Sequence, residues 1–346
     1  MAAQVERKLL KQAAFVLKLL VSAGLLGFLA WRAVREDQFQ GIFAGRNYAW
    51  FVAAVAVGLL ATMVTFFRWY LLARALGLAM RLGETIRVSF IAVFIGLFAF
   101  GTVGTDSARA FTAARNSPGK RVEAVASVFV DRLLGLLTMF LLAAGGYYLQ
   151  SAERWQQLSS PEAKGIQYVV QVSGWAAAVM MVCGGVALAA PQILQWPIFE
   201  RIRAWPIVGN LIDRGMEVVR LYRRQPGVLL IGLLLSVSST LLFALSIYLL
   251  AVFYGGSHPS LADHAIIAPI SLVANAVPLP GGLGGMETML DFLYRAFTPS
   301  QGEPPKGVVV AFAFRFIFLL MAGIGAIVWF AMGKQERESL QAGELP

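Results

Sequence analysis

Residues 101–106 read Gly-Thr-Val-Gly-Thr-Asp and residues 281–287 read Gly-Gly-Leu-Gly-Gly-Met-Glu, and the reading of these two clusters decides the fold. Each is rich in glycine, ends in an acid and interrupts an apolar region where a helix would otherwise continue. A glycine inside a helix costs about 1 kcal/mol relative to alanine, so clustered glycines mark breaks. Gly101, Gly104 and Thr105 align with Gly281, Gly284 and Gly285, and downstream of each cluster an arginine, Arg132 or Arg315, stands inside an apolar segment. Two copies of one unit produce this shared order. For either cluster alone, glycines that simply pack membrane helices give a plainer reading.

Outward from the clusters the chain is apolar. Of its 346 residues 58% are hydrophobic, 14% are charged and one is cysteine, which excludes a disordered chain and a disulfide scaffold. Runs long enough to cross a bilayer, roughly 20 residues, lie at 13–31, 48–72, 122–149, 166–190, 226–253 and 308–332. They predict an all-α integral membrane protein with six full spans. The first run follows Arg7, Lys8 and Lys11 and reaches Trp31-Arg32 without a small-residue cleavage site, so it reads as an uncleaved span with Lys18 reaching back to the headgroups. The net charge of +10 then marks one membrane face, not a nucleic-acid surface.

The basic residues also decide what the cluster regions do. If 86–116 and 264–297 were ordinary crossings, Arg109, Arg115, Lys120 and Arg121 would lie outside the cell, against the positive-inside rule. Re-entrant hairpins broken at the glycines remove the conflict. Of the 29 lysines and arginines, 19 then fall on the cytoplasmic side, Arg68 and Arg109 among them, against seven outside, with Lys18, Arg132 and Arg315 in the bilayer. Both termini are cytoplasmic on this count. The whole chain, 1–346, forms one membrane domain with a first repeat at 10–150 and a second at 166–335. Each runs span, span, hairpin, span, in opposite orientation, which is the inverted-repeat plan of many transporters. Between them, 191–225 interleaves Ile207, Val208, Leu211, Ile212 and Met216 with Arg214, Arg220, Arg223 and Arg224. The pattern fits a cytoplasmic amphipathic linker helix on the inner leaflet, or a solvated linker.

A hairpin ending inside the bilayer needs protein or a water-filled cavity around it, so the glycine tips are expected to meet at a central site. Converging amides, and a half-helix starting at Thr105 or Gly285, would suit an anion, with a lipid phosphate the evident candidate. Arg132 stands about ten residues and Arg315 about seven into their spans, roughly 15 and 10 Å at the helical rise. Charge at that depth costs at least about 2.5 kcal/mol, which points to function, with a buried structural ion pair as the other reading. Arginine suits the task because its fork holds a phosphate through two hydrogen bonds. The candidate substrate-binding set is Gly101, Gly104, Thr105, Asp106, Arg109, Asp131, Arg132, Asn275, Gly281, Gly282, Gly284, Gly285, Glu287 and Arg315. Asp106 and Glu287 would balance charge. Asp106 and Arg109 share a helix face, as do Glu287 and Asp291, while the neighbours Asp131 and Arg132 point apart. His258 and His264 share one outer loop, Cys183 is isolated, and the glycine clusters lack a P-loop lysine, so no catalytic residue, metal, cofactor or enzyme activity is expected.

The run from Arg87 through Gly101–Asp106 and Arg109 to Ala126-Ser-Val-Phe-Val-Asp131-Arg132-Leu-Leu-Gly135 resembles the lysylphosphatidylglycerol synthase membrane-domain family, also described as flippase-like. Pro278-Leu-Pro-Gly-Gly-Leu-Gly-Gly-Met-Glu287 and Phe314-Arg315 are similar to its second signature, and the likeness spans most of 10–335. It departs at Thr105, where the family's Gly-Gly-Asp has its second glycine. The resemblance implies an inner-membrane protein that moves or binds a membrane phospholipid or a polyprenyl-linked lipid. Full-length synthases of the family add a soluble aminoacyl-transferase domain, for which the residues after Gly333 are too few, so synthase activity is not expected. The expected function is translocation of a polar or anionic lipid. The rivals are a lipid-binding accessory subunit of a membrane glycosyltransferase or aminoacyl-lipid enzyme, and a small-solute or ion transporter. A membrane enzyme and a second copy of the chain are the candidate protein partners, with no nucleic acid.

Overall fold

The computed structural model describes residues 45–98, 102–149, 161–189, 217–275, 284–298 and 306–332, with isolated helical positions at 31, 34 and 35. The described residues are all-helical, without strands. In chain order the helices are α1 (Tyr48–Ala75), α2 (Leu82–Phe98), α3 (Thr102–Asn116), α4 (Arg121–Leu149), α5 (Pro161–Ala189), α6 (Pro226–Tyr254), α7 (Leu261–Ala274), α8 (Gly285–Phe297) and α9 (Gly307–Ala331). Helices α1, α4, α5, α6 and α9 are long and apolar enough to cross a bilayer, and they match five of the six expected spans to within a few residues. The chain is a multi-pass membrane protein. The expected span at 13–31 and nearly all of the linker at 191–225 lie outside the described residues, apart from a helical stretch at 217–223 just before α6.

Between the long helices sit two pairs of short ones, α2 with α3 and α7 with α8, each pair packed together. At 1.5 Å per residue they measure only about 20 to 26 Å, short of the roughly 30 Å apolar layer. Helices α2 and α7 end ahead of the glycine clusters and α3 and α8 begin at them, with 99–101 and 276–283 outside the described residues, and α3 begins earlier than expected. Helix α3 starts at Thr102, which places Gly104 and Thr105 inside its first turn and not in an irregular nest ahead of it. Helix α8 starts at Gly285 as expected.

Local chemistry sets these ends. Asn47 caps α1 by accepting from the Ala49 amide at 3.0 Å. Pro226 opens α6, where its missing N–H costs nothing. Ser260 and Asp263 form a reciprocal capping box on α7. Ahead of α8, Gly284 takes φ +99°, a left-handed conformation that favours glycine, and its amide donates to Glu287 Oε2 at 2.9 Å. Gly285 is needed for a different reason, since a Cβ there would lie 2.5 Å from the carbonyl oxygen of Ala274 at the end of α7.

The packing between the two halves is reciprocal. Helix α1 lies along its counterpart α6, α9 packs on α2, and α4 packs on α7, so each half's last helix seats on the other half's first hairpin helix. Both of these crossings are close. A Cβ on Gly325 of α9 would stand 2.1 Å from the Phe90 carbonyl oxygen of α2, and one on Gly146 of α4 would stand 2.6 Å from Ile266 of α7. The main apolar core fills the space among α1, α6, α7, α8 and α9 around Ile247, Ile266, Leu290, Phe314 and Ile317. A smaller core joins α1, α3 and α4 around Trp69, Ala113 and Val128. The outer surface is apolar too, with Trp175, Ile327 and Phe330 well exposed, as a protein solvated by lipid requires.

Candidate functional site

The reciprocal packing brings the intramembrane charges to the middle of the molecule. Arg132 on α4 grips Asp106 on α3, with Nε 2.9 and 2.7 Å from the two carboxylate oxygens. Arg315 on α9 grips Glu287 on α8 with Nε 2.8 Å from Oε1. The two pairs are counterparts, each joining a half-helix that follows a glycine break to the next long helix. They differ in access. In the first the side chains are 41% and 24% exposed, and in the second 13% and 1%.

A third pair has no counterpart among the described residues. Arg68 on α1 donates from Nε to Asp131 on α4 at 2.7 Å and from Nη1 to Ser236 on α6 at 2.7 Å, and both charges are buried. Asp131 and Arg132 thus take different partners, as their divergent directions on the helix require. Arg68 and Arg109, counted from the sequence on the cytoplasmic side, are both buried within the protein. The reason is that carboxylate and aromatic partners on α1 and α4 receive them.

Arg109 on α3 is the unusual member. It is 4% exposed, with its guanidinium carbon 5.1 Å from the Phe66 ring centre and 5.2 Å from that of Trp69, both on α1. Trp69 is itself fixed by its indole N–H, which donates to Ser127 on α4 at 3.2 Å. Among the described residues Arg109 makes neither a hydrogen bond nor an ion pair, and its Nε is buried without an acceptor. Its helical neighbour Asp106 turns to Arg132 instead. A cation resting on aromatic faces keeps its in-plane N–H edges available.

These groups line one cavity of about 260 Å³. Arg68, Arg109, Arg132, Arg315 and Asp131 reach it, with Thr105 from α3, Asn275 from the end of α7, Thr62 and Thr65 from α1, and Ser239 and Thr240 from α6. With the paired Asp106 and Glu287, the described residues here supply four arginines and three carboxylates, so one positive charge is in excess. Leu97, Leu136, Phe318 and Leu319 complete the wall, and Leu97 and Leu319 are also exposed on the outer surface.

Of the residues singled out from sequence, Thr105, Arg109, Asp131, Arg132, Asn275 and Arg315 line the cavity, and Asp106 and Glu287 hold two of its arginines. Gly104 lies in the first turn of α3, while Gly284 and Gly285 shape the start of α8. Gly101, Gly281 and Gly282 lie outside the described residues. Asp291 pairs with Arg295 on its own helix at 2.9 Å and does not reach the cavity. His264 is locked between Ser260 and Tyr294, 2.8 Å from the latter's hydroxyl, and belongs to the packing of α7 on α8. The sequence reading missed Arg68 and the hydroxyls. Their signal was a helical stripe, Thr62, Thr65 and Arg68 on α1 and Ser236, Ser239 and Thr240 on α6, in otherwise apolar spans.

The sequence model of the family described as the lysylphosphatidylglycerol synthase transmembrane region matches residues 15–326. No curated protein matches the chain. No solved structure matches it. A match over that much of the chain shows the family, and the protein belongs to it, with a lipid-related function in the membrane.

Proposed function

From this family membership, we propose that the chain translocates an anionic lipid by taking its phosphodiester headgroup into the central cavity. The observation that carries the reading is the excess cation. Three arginines are neutralised by carboxylates, and Arg109, which lines the cavity, has no carboxylate of its own among the described residues. Isolated charge in such surroundings is expensive, and a monoanionic phosphodiester would offset it. At about 260 Å³ the cavity is smaller than the roughly 300–1,000 Å³ usual for whole drug-sized ligands. It suits a headgroup whose acyl chains stay in the bilayer beyond Leu97 and Leu319. The reciprocal packing of the halves supports an inverted repeat whose hairpins are re-entrant from opposite faces, with both termini cytoplasmic in an inner membrane. On this reading the protein is not an enzyme and works without a cofactor.

The test is transfer of fluorescent, acyl-labelled phosphatidylglycerol across vesicles that contain only the purified chain and phosphatidylcholine. Movement is expected without a partner protein. Arg109→Gln should slow it about 10- to 100-fold, the worth of a charged hydrogen bond, while the fold survives because Arg109 anchors no carboxylate. Binding without movement would replace the translocator by a lipid-binding subunit. Transfer unaffected by Arg109→Gln would place the anion site elsewhere.

A further inference from the structure

The charges around the cavity do not sum to zero. Arg68, Arg109, Arg132 and Arg315 stand against Asp131, Asp106 and Glu287, which leaves one positive charge over among the described residues. Nearby groups do not cancel it. Asp291, the next acid along α8, is matched by Arg295 on the same helix. The stretches 99–101 and 276–283, next to the cavity in the chain, contain no charged residue, and the expected span at 13–31 contains only Lys18, which has the same sign. The excess is traced to Arg109, which lies over the rings of Phe66 and Trp69 while the other three arginines hold carboxylates. A guanidinium keeps its proton at neutral pH, so this charge is permanent.

A permanent charge that changes sides in a membrane responds to the transmembrane potential. We infer that the potential drives transport through the empty site. Unloaded, the site carries the one positive charge of Arg109 and is drawn to the negative, cytoplasmic side. Loaded with a monoanionic lipid it is neutral, and its crossing is indifferent to voltage. The balance closes over one cycle, since an inward return of one positive charge equals the outward movement of one lipid anion. The inference rests on the translocation reading above and gives it an energy source and a direction.

Two transfer protocols separate the loaded step from the empty one. The full chain is placed in phosphatidylcholine vesicles, and a potential is set by a potassium gradient with valinomycin. Acyl-labelled phosphatidylglycerol is added to the outer leaflet, and its entry is followed as protection from chemical quenching. In the first protocol the vesicles hold no other phosphatidylglycerol, so each cycle includes an empty return. In the second, excess unlabelled phosphatidylglycerol in both leaflets makes the site return loaded. An outside-negative potential of about 100 mV should speed the first by about five- to tenfold, the response of one charge crossing about half of the field. The second should not change. Because both leaflets and both signs of potential can be used, the protein's orientation in the vesicle does not affect the comparison.

Arg109→Gln makes the empty site neutral and the loaded site negative, so its voltage response should move from the first protocol to the second. Loss of a merely structural residue would slow both protocols and leave the response where it was. That result, or an equal response of both protocols in the wild type, or a response of neither, overturns the inference and leaves translocation standing. Absence of any transfer by the wild type sinks the translocation reading and this inference with it. The wild-type comparison needs no variant, so it decides the matter even where Arg109→Gln is too slow to follow.

Discussion

Neutralising one carboxylate in each of the two counterpart ion pairs should have very unequal effects on stability. In Glu287→Gln the cap on Gly284 survives, because the amide oxygen of glutamine still accepts from that backbone N–H. The charge opposite Arg315 is lost, and Arg315 is largely buried with a side-chain exposure of 13%. Removing one partner of a buried pair costs about 3–5 kcal/mol. Asp106→Asn removes the counterpart charge, but Arg132 there is 41% exposed, so screening limits the loss to about 1 kcal/mol or less. The double variant Glu287→Gln with Arg315→Gln removes the uncompensated charge and should recover at least half of the loss. Reversible denaturation in mixed detergent micelles, read by helical circular dichroism, measures all of these. Equal destabilisation by Glu287→Gln and Asp106→Asn, or no recovery in the double variant, would refute the assignment of a closed and an open pair.

Gly325→Val should destabilise the protein by about 1–3 kcal/mol or more through overpacking against the Phe90 carbonyl. Gly323→Ala on the same helix, with open space around it, should leave the unfolding midpoint unchanged or raise it slightly. With Cys183→Ser as background, Gly83→Cys should react with a membrane-impermeant thiol reagent from the cytoplasm and Leu261→Cys from outside, and labelling from one face would sink the inverted repeat. Arg68→Lys should keep charge and lose the fork that joins Asp131 to Ser236, costing about 1–3 kcal/mol in the same denaturation assay.

The spans were legible because lipid imposes a length and an apolar composition on each of them, and Tyr48–Ala75 and Pro226–Tyr254 follow from that alone. Glycine breaks were legible for the opposite reason, being costly where they stand. Partner choice was harder to read. Asp106 and Arg109 share a helix face, yet Asp106 turns to Arg132 on the next helix, and only the fold brings those two together. Arg68 looked like a flanking charge because it lies near the end of a long span, whereas Asp131 and Ser236, distant in sequence, draw it inward. The start of α3 was misjudged by three residues, since Gly104 is a tolerable helix residue when the fold supplies the rest of the turn.

Asp131 and Arg132 are adjacent on α4 and leave it about 100° apart, one fastened to α1 and the other to α3. Neither pair can follow a turn of α4 about its own axis without the other being pulled out of register. The helix is keyed on two sides, like a shaft held by a pair of offset pins. Any rearrangement of the membrane domain that keeps these bonds must therefore carry α1, α3 and α4 together as one block. The seams of α4 on α7 and of α9 on α2 are of another kind, backbone-close at Gly146 against Ile266 and Gly325 against Phe90, where one surface can slide along the next.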